Sequence, residues 1–415
     1  GFEIVDDETR AEVIVVNTCC FINDAKEESV NTILEMAEYK KEGTCKVLIV
    51  TGCMAQRYKN EIIEEVPEVD AVLGTTSYGD ILKAINEAMD GKHFQEFKDI
   101  DYLPEKLGKR VLTTGGHFGY LKIAEGCDKH CTYCIIPKLR GKFRSVPMER
   151  LVAQAQEMAE EGVKELILVA QETTVYGTDI YGKKSLHILL KELCKIKGIR
   201  WIRVLYCYPE EIYDELIQTM KEEKKICHYL DLPIQHASDR ILKRMGRRTT
   251  QAELVAIVNK LRQEIPDIVL RTTLITGFPG ETQEDHEEMM GFVDEMEFDR
   301  LGVFTYSPEE DTPAADMPDQ IPEEVKEERR DEIMELQQEI SYDKGTDRIG
   351  QELMVMIEGK VADESAYIGR TYGDAPKVDG YIFVQTGELL MTGDFAKVRV
   401  TGALEYDLIG ELADE

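Results

Sequence analysis

Six apolar, strand-like segments alternate with amphipathic, helix-like segments between residues 120 and 306. This alternation predicts parallel strands joined by helices, and six such strands form a sheet that closes partway to a barrel. Active sites in folds of this kind lie at the carboxyl ends of the strands. The predicted strands are Tyr120–Glu125, Glu165–Gln171, Trp201–Tyr206, Tyr229–Gln235, Val269–Thr276 and Arg300–Tyr306, and the predicted helices include Met148–Glu161 and Gln283–Met296.

The first part of the chain shows the same alternation on a smaller scale. We predict a doubly wound α/β domain over residues 1–100. Because Gly1–Asp6 leads at once into an edge strand, we also expect that an N-terminal piece precedes it. The predicted strands are Ala11–Asn17 and Lys46–Thr51, and the predicted helices are Lys26–Glu42 and Lys59–Glu65.

The last hundred residues change in character. Pro308–Pro322 has four prolines among acidic residues and is typical of a linker, and a charged helix is predicted over Glu323–Tyr342. Five short strand patterns then predict a small antiparallel β-barrel. The predicted domains are therefore residues 1–100, 116–344 and 346–415. The five strands are Glu352–Gly359, Tyr367–Tyr372, Gly380–Gln385, Ala396–Thr401 and Tyr406–Leu412.

The charge of the chain limits its partners. Its 415 residues include 81 acidic and 50 basic ones, with a net charge of -31. Such a surface repels nucleic-acid phosphates unless a basic patch intervenes, and it attracts basic partners. The sequence has neither a long apolar run nor a secretory signal, so we expect a cytoplasmic protein without membrane contact. Because that compartment is reducing, we expect the 10 cysteines to be metal ligands or core residues rather than partners in disulfides.

Cys127, Cys131 and Cys134 follow the first strand of the series in one short loop. Three thiolates can bind three irons of a four-iron cluster and leave the fourth iron open for another ligand. The alternative is a zinc site. Zinc usually takes a fourth protein ligand, and His130 is poorly placed to complete a tetrahedral set. The spacing therefore favours an iron-sulfur site.

The segment YLKIAEGCDKHCTYCIIP, which contains these three cysteines, resembles the radical S-adenosylmethionine (SAM) superfamily. The resemblance implies that SAM chelates the open iron and is cleaved to a 5′-deoxyadenosyl radical, which takes a hydrogen from an unreactive carbon. It also implies that the backbone at Tyr133 meets the adenine of SAM.

Polar side chains occur at the ends of the later strands. Gln171 and Glu172 follow the second strand, Arg203 lies in the third, Gln235 follows the fourth and Arg271 lies in the fifth. We predict that these five side chains bind SAM or substrate at the barrel mouth, because a charged cofactor needs polar partners there. Salt bridges with neighbouring loops are the alternative for each of them.

Cys19 and Cys53 each end a strand of the N-terminal domain, at the sheet edge where ligands bind. Together with LVAQETTVYG and LPIQHASDRILKRMGRR, they resemble the methylthiotransferases. The resemblance implies an auxiliary four-iron cluster with three cysteine ligands, of which Cys19 and Cys53 match the second and third. The first should lie before Gly1. We expect Cys20 and Cys45 to pack in the core.

Methylthiotransferases add a CH3S group to an unactivated carbon and consume one SAM as methyl donor and another as radical source. The details of QETTVYG and of YIGRTY resemble the branch that modifies the β-carbon of an aspartate in ribosomal protein S-twelve. The resemblance implies that protein as substrate, a reducing electron donor, a sulfur donor, and contact with nucleic acid only through the ribosome. The alternatives are methylthiolation of a tRNA adenosine and, from another class, an iron-sulfur electron carrier.

Charge supports the protein substrate. Residues 346–415 carry fourteen acidic and six basic residues, whereas a tRNA-binding barrel should have a basic face. The basic run from Lys243 to Arg248 is the contrary evidence. The carboxylates predicted to form an anionic docking surface are Glu352, Glu358, Asp363, Glu364, Asp374 and Asp379.

We expect that Cys127→Ala, Cys131→Ala and Cys134→Ala each stop the cleavage of SAM, because a cluster that loses one thiolate is exposed or lost. The measurement is the amount of 5′-deoxyadenosine that the reduced protein forms from SAM in the absence of oxygen. Cys194→Ala, which changes a predicted core cysteine, is the control. A loop variant that forms 5′-deoxyadenosine at the parental rate would contradict the assignment.

Overall fold

The structure is a computed structural model that describes residues 2–104, 111–362 and 364–413. It divides into two compact units that differ from the three predicted domains. The first unit comprises residues 1–110, 125–144 and 307–316, and the second comprises residues 111–124, 145–306 and 317–415. The cysteine loop thus groups with the N-terminal residues, and the predicted domain boundaries stay a prediction.

The first unit is built on a parallel sheet with strand order β1-β2-β3-β4. Apolar residues of α1 to α3 pack on one face of the sheet, where Cys20 and Cys45 are also buried, and Ala84, Ile85 and Ala88 of α4 pack on the other. Helices on both faces confirm the doubly wound prediction. The elements are β1 (Val13–Thr18), α1 (Asn23–Glu42), β2 (Val47–Gly52), α2 (Cys53–Tyr58), α3 (Asn60–Glu65), β3 (Ala71–Leu73), α4 (Ile81–Met89), β4 (Phe94–Glu96) and α5 (Ile136–Arg140).

The second unit contains six parallel strands in the order β12-β11-β10-β9-β8-β5, which confirms the partial (β/α)6 barrel. Two short strands, β6 and β7, pair outside this sheet. The strands are β5 (Phe118–Lys122), β6 (Ala124–Glu125), β7 (Arg144–Ser145), β8 (Glu165–Val169), β9 (Trp201–Val204), β10 (Ile226–Asp231), β11 (Val269–Thr276) and β12 (Arg300–Thr305). The helices are α6 (Met148–Glu160), α7 (Thr178–Tyr181), α8 (Leu186–Cys194), α9 (Asp214–Glu222), α10 (Asp239–Arg244), α11 (Gln251–Glu264) and α12 (Gln283–Met296).

The C-terminal part of the second unit is a closed five-stranded barrel, preceded by the long helix α13 (Glu323–Thr346). Four of its five strand pairs are antiparallel, as predicted, whereas β15 and β17 pair in parallel. The strands are β13 (Glu352–Lys360), β14 (Ala366–Thr371), β15 (Ile382–Gln385), β16 (Phe395–Ala403) and β17 (Leu408–Leu412). Every helix in the described ranges is too short or too polar to span a lipid bilayer.

A buried ion network joins this barrel to the amino-terminal ends of the parallel strands within the second unit. Glu165 accepts from Arg203 Nε at 2.8 Å and from Arg370 Nη2 at 2.7 Å, and none of the three side chains has exposed surface. Burial raises the pKa of Glu165, but the guanidinium groups of Arg370 and Arg203 outweigh it, so the pKa lies below its ordinary value. Glu165 is therefore a carboxylate that neutralises two buried cations.

Three of the predicted docking carboxylates belong to the same interface, so the predicted anionic surface is wrong for them. Glu358 binds Arg370 at 2.6 Å, Asp374 pairs with Arg300, and Asp379 accepts from Tyr229 Oη at 2.8 Å. Their charges face cations or a hydroxyl of this chain, because Glu358 of β13 and the segment between β14 and β15 that carries Asp374 and Asp379 pack within the second unit. Glu352 and Glu364 are exposed, as the prediction requires, and Asp363 lies outside the described residues.

Glu165→Ala should lower the free energy of unfolding by about 3–5 kcal/mol, because it removes the carboxylate partner of the buried Arg203 and one of the two carboxylate partners of the buried Arg370. The midpoint of urea unfolding at neutral pH measures the effect. The depressed pKa means that this contribution is present at neutral pH and is lost only as the pH falls below the ordinary carboxyl pKa of about 4.3. Glu38→Ala, at an exposed ion pair, is the control. Equal midpoints for both variants would contradict the role of Glu165.

Candidate functional site

The loop that carries the three cysteines depends on a glycine. Gly126 has φ +79°, and a Cβ there would lie 2.1 Å from the carbonyl oxygen of Lys142. The next amide, that of Cys127, donates to the carbonyl of Gly141 at 3.2 Å. Only glycine allows this left-handed turn and this close approach of two backbone segments. The loop is therefore held against the residues that follow α5.

The three thiols of the loop are suited to hold an iron-sulfur cluster. Cys127 and Cys131 are buried and Cys134 is half-buried. The amide of Lys129 donates to Cys127 Sγ at 3.4 Å, the kind of N–H···S bond that stabilises a cluster thiolate. The pKa of Cys134 is raised to about 12, chiefly by burial and also by the nearby thiols of Cys131 and Cys127. A cationic cluster would offset that cost, so the donor set fits the group.

The described residues contain no group of three His, Cys, Asp or Glu side chains arranged to bind one metal ion.

Cys19 and Cys53 are brought to one level of the N-terminal sheet. Thr18 of β1 pairs with Gly52 of β2, so the two cysteines follow equivalent positions of adjacent strands. Cys19 is exposed, and the hydroxyl of Ser29 donates to its carbonyl at 2.9 Å. Burial raises the pKa of Cys53, and the Cys19 thiol contributes to the rise.

Gly52 allows this arrangement. Its φ is +99°, and a Cβ would lie 2.4 Å from the carbonyl oxygen of Thr18. α2 begins at the next residue, so Cys53 lies at the start of a helix. The completely buried Cys20 packs in the core of this unit, and burial raises its pKa to about 11. The prediction that Cys20 and Cys45 are core residues is confirmed.

Sequence reasoning missed Arg140. Its Nε donates to Cys53 Sγ at 3.2 Å, and its Nη1 lies 3.5 Å from Glu125 Oε2. Arg140 ends the short helix α5, and no sequence signal relates it to a cysteine 87 positions earlier. The structure therefore adds a cation to the surroundings of Cys53.

Two of the predicted SAM contacts are used in ion pairs. Arg203 is buried against Glu165 and also donates to the carbonyl of Tyr372 at 2.7 Å. Arg271 binds Asp231 at 2.8 Å and lies 3.3 Å from Asp379. The salt-bridge alternative describes both arginines, because each has carboxylate partners within this chain. We assign structural roles in these ion pairs to Arg203 and Arg271, in place of the predicted SAM contacts.

The remaining predicted SAM contacts lie at strand ends or in the cysteine loop. Gln235 has φ +74° and bridges to Leu274 of β11. Glu172 is buried and accepts from the amide of Thr174 at 2.9 Å, whereas Gln171 is half-buried after β8. Tyr133 is half-buried in the first unit. Their contacts with SAM stay predictions.

The basic run is only partly a surface. Arg247 is buried, lies over the ring of Tyr208 at 4.3 Å and donates to the carbonyl of Pro233 at 3.1 Å. Lys243 and Arg248 are exposed. The basic run consists of Lys243, Arg244, Arg247 and Arg248, and because Arg247 is buried these four side chains do not form one phosphate-binding patch.

Three family profiles match the chain. The radical SAM superfamily matches residues 121–293, a family described as uncharacterized protein family UPF0004 matches residues 1–74, and the TRAM domain matches residues 349–413.

Curated relatives named ribosomal protein uS12 methylthiotransferase RimO match nearly the whole chain. The one from Lachnoclostridium phytofermentans is 65% identical over 410 residues, which cover 99% of this chain and 93% of the relative. The one from Clostridium perfringens is 52% identical and the one from Clostridioides difficile is 49% identical, each over 100% of this chain and 93% of the relative.

Among solved structures, the fold is similar to the radical SAM methyltransferase TsrM from Kitasatospora setae. The form with cobalamin and a [4Fe-4S] cluster has a TM-score of 0.54 at 12% identity and matches 74% of this chain and 66% of that chain. The form with tryptophan and a SAM analogue has a TM-score of 0.52 at 12% identity, with 70% and 61% covered. At this identity the likeness shows the fold alone.

Gly126→Ala should reduce the iron bound by the cysteine loop severalfold, because the added Cβ collides with the Lys142 carbonyl and the residue is strained at positive φ. Iron and sulfide content of anaerobically reconstituted protein is the measurement. Gly79→Ala, where a Cβ meets no atom within 4 Å, is the matched control. Full iron content in Gly126→Ala would show that the loop tolerates a different backbone.

Proposed function

We propose that this chain, which belongs to the RimO family of radical SAM methylthiotransferases, adds a methylthio group to an aspartate of ribosomal protein uS12. Protein uS12 is the ribosomal protein called S-twelve above. The observation that carries the proposal is the near full-length identity to relatives that bear this name. The reaction would replace a hydrogen on the aspartate β-carbon and use one SAM as methyl donor and another as radical source.

Membership of the radical SAM superfamily implies one four-iron cluster and SAM. When bound, the cluster supplies the electron that splits the sulfonium of SAM. Cys127, Cys131 and Cys134 would hold it, and their burial would shield the site from water. The hydrogen bond from the amide of Lys129 to Cys127 Sγ would keep that thiolate in place.

The remaining polar residues of the loop and strand ends would orient SAM. We assign this role to Tyr133, Gln171, Glu172 and Gln235, because each lies in the cysteine loop or at the carboxyl end of a parallel strand. The buried carboxylate of Glu172 suits a cationic group, and a strained backbone such as that of Gln235 is a frequent mark of ligand contact.

We also propose an auxiliary four-iron cluster at Cys19 and Cys53. The shared level of the two cysteines on adjacent strands supports it, and we assign no third ligand among the described residues. A sulfur donor and a reducing electron donor would be needed, since the chain supplies neither the transferred sulfur nor the electrons. Because the substrate is ribosomal, we place the reaction in the cytoplasm, with nucleic acid met only through the ribosome.

Charge contributes less to substrate choice than the sequence alone predicts. Glu358, Asp374 and Asp379 are used in internal contacts, so they do not attract a basic protein. Exposed carboxylates remain at Glu364, Glu388, Glu405 and Glu411, alongside exposed Lys360 and Lys377. The C-terminal barrel is therefore mixed in charge, and family membership is the stronger argument for a protein substrate.

The test incubates the reduced enzyme with SAM and sulfide, without oxygen, in the presence of either purified uS12 or bulk tRNA. We expect mass spectrometry to detect methylthio-aspartate in uS12 and no methylthiolated nucleoside. Cys53→Ala should stop methylthiolation and largely retain 5′-deoxyadenosine formation, because only the loop cysteines serve SAM cleavage. Cys194→Ala should behave as the parent. Modified tRNA with unmodified uS12 would overturn the substrate, and undiminished methylthiolation in Cys53→Ala would overturn the auxiliary cluster.

A further inference from the structure

In the first unit, Arg140 contacts Cys53 and also the segment that leads into the loop of Cys127, Cys131 and Cys134. Its Nε donates to Cys53 Sγ at 3.2 Å, and its Nη1 lies 3.5 Å from Glu125 Oε2. Glu125 stands two residues before Cys127, the first cysteine of the SAM loop. One guanidinium group therefore connects a predicted auxiliary ligand with the segment that leads into the SAM loop.

The position of Arg140 is fixed by backbone contacts on both sides. The carbonyl of the preceding Leu139 accepts from Thr75 Oγ1 at 3.0 Å, and the carbonyl of Arg140 itself accepts from Arg144 Nη2 at 3.1 Å. The carbonyl of the following Gly141 accepts from the amide of Cys127 at 3.2 Å. The side chain, which is only 18% exposed, thus extends from an anchored backbone.

The chemistry of this contact is that of a cation beside a sulfur ligand. A guanidinium N–H that donates to a thiolate makes a charge-assisted hydrogen bond, which fixes the direction of the sulfur. Such bonds to cluster sulfurs also favour the reduced, more negative state and so raise the reduction potential. Partial burial strengthens the effect, because water screens the charge less.

We propose that Arg140 is a positioning residue for the auxiliary cluster, in which its bond to Cys53 Sγ orients that ligand and raises the reduction potential of the cluster. This inference rests on the proposed auxiliary cluster at Cys19 and Cys53. The competing role is an ordinary ion pair with Glu125 that only stabilises the fold. An ion pair of that kind would affect stability but would leave the reduction potential of the cluster unchanged.

The test uses the whole protein with Cys127, Cys131 and Cys134 all changed to alanine, so that only the auxiliary cluster remains. After anaerobic reconstitution, the iron content is measured. The reduction potential of the cluster is then determined by a redox titration that is followed by electron paramagnetic resonance. Arg140→Met should shift the reduction potential to a lower value, and Arg140→Lys, which keeps the charge, should restore part of the shift. Arg10→Met removes an exposed arginine of the same unit that takes part in none of these contacts, and it should leave the potential unchanged.

The outcomes separate the inference from the proposed function. A cluster of normal iron content whose potential is the same in Arg140→Met and the parent overturns the role of Arg140 alone. A parent that binds no iron overturns the auxiliary cluster, and the inference fails with it. Loss of iron in Arg140→Met with retention in both Arg140→Lys and Arg10→Met supports the positioning role, because the cation is then required to hold Cys53.

Discussion

The ion pairs around Glu165 govern the architecture of the second unit. Glu165 begins β8, Arg203 lies in the neighbouring β9, and Arg370 belongs to β14 of the C-terminal barrel. Three charges with no exposed surface are stable only together, because each alone would keep the desolvation penalty of a buried ion. The stability of each of these three strands therefore depends on the other two. Removal of the C-terminal barrel would leave Glu165 and Arg203 incompletely paired. A protein cut at residue 346 would expose this interface on both fragments.

Much of the fold can be predicted from local patterns. The strand Val269–Thr276 and the helix Gln283–Met296 have the predicted bounds, because apolar periodicity marks both segments. In the structure the helix begins at a capping box formed by Thr282 and Asp285. The strand predicted over Trp201–Tyr206 ends at Val204, and Tyr206 has φ +58°, a left-handed backbone that cannot continue a ladder. Such a departure depends on tertiary contacts, which no local pattern records.

The candidate site divides in the same way. Cys127, Cys131 and Cys134 are neighbours in sequence, so their spacing alone indicates a shared ligand. The sequence predicts Arg203 and Arg271 at the cofactor because both are polar residues in buried strands, yet their carboxylate partners come from separate segments of the chain. Arg140 escaped prediction for the same reason. Long-range pairing of charges decides which of two polar roles a residue takes, and composition and periodicity carry no record of it.

The closure of the C-terminal barrel determines how a polypeptide can be recognised there. β16 pairs with β13, so the five-stranded ring has no free strand edge. An extended peptide therefore cannot add to this ring as a further strand through main-chain hydrogen bonds. Any polypeptide bound by the barrel must be read by side chains and by the turns that join the strands. Selectivity at such a surface can change by substitution of single residues, without any change of backbone register.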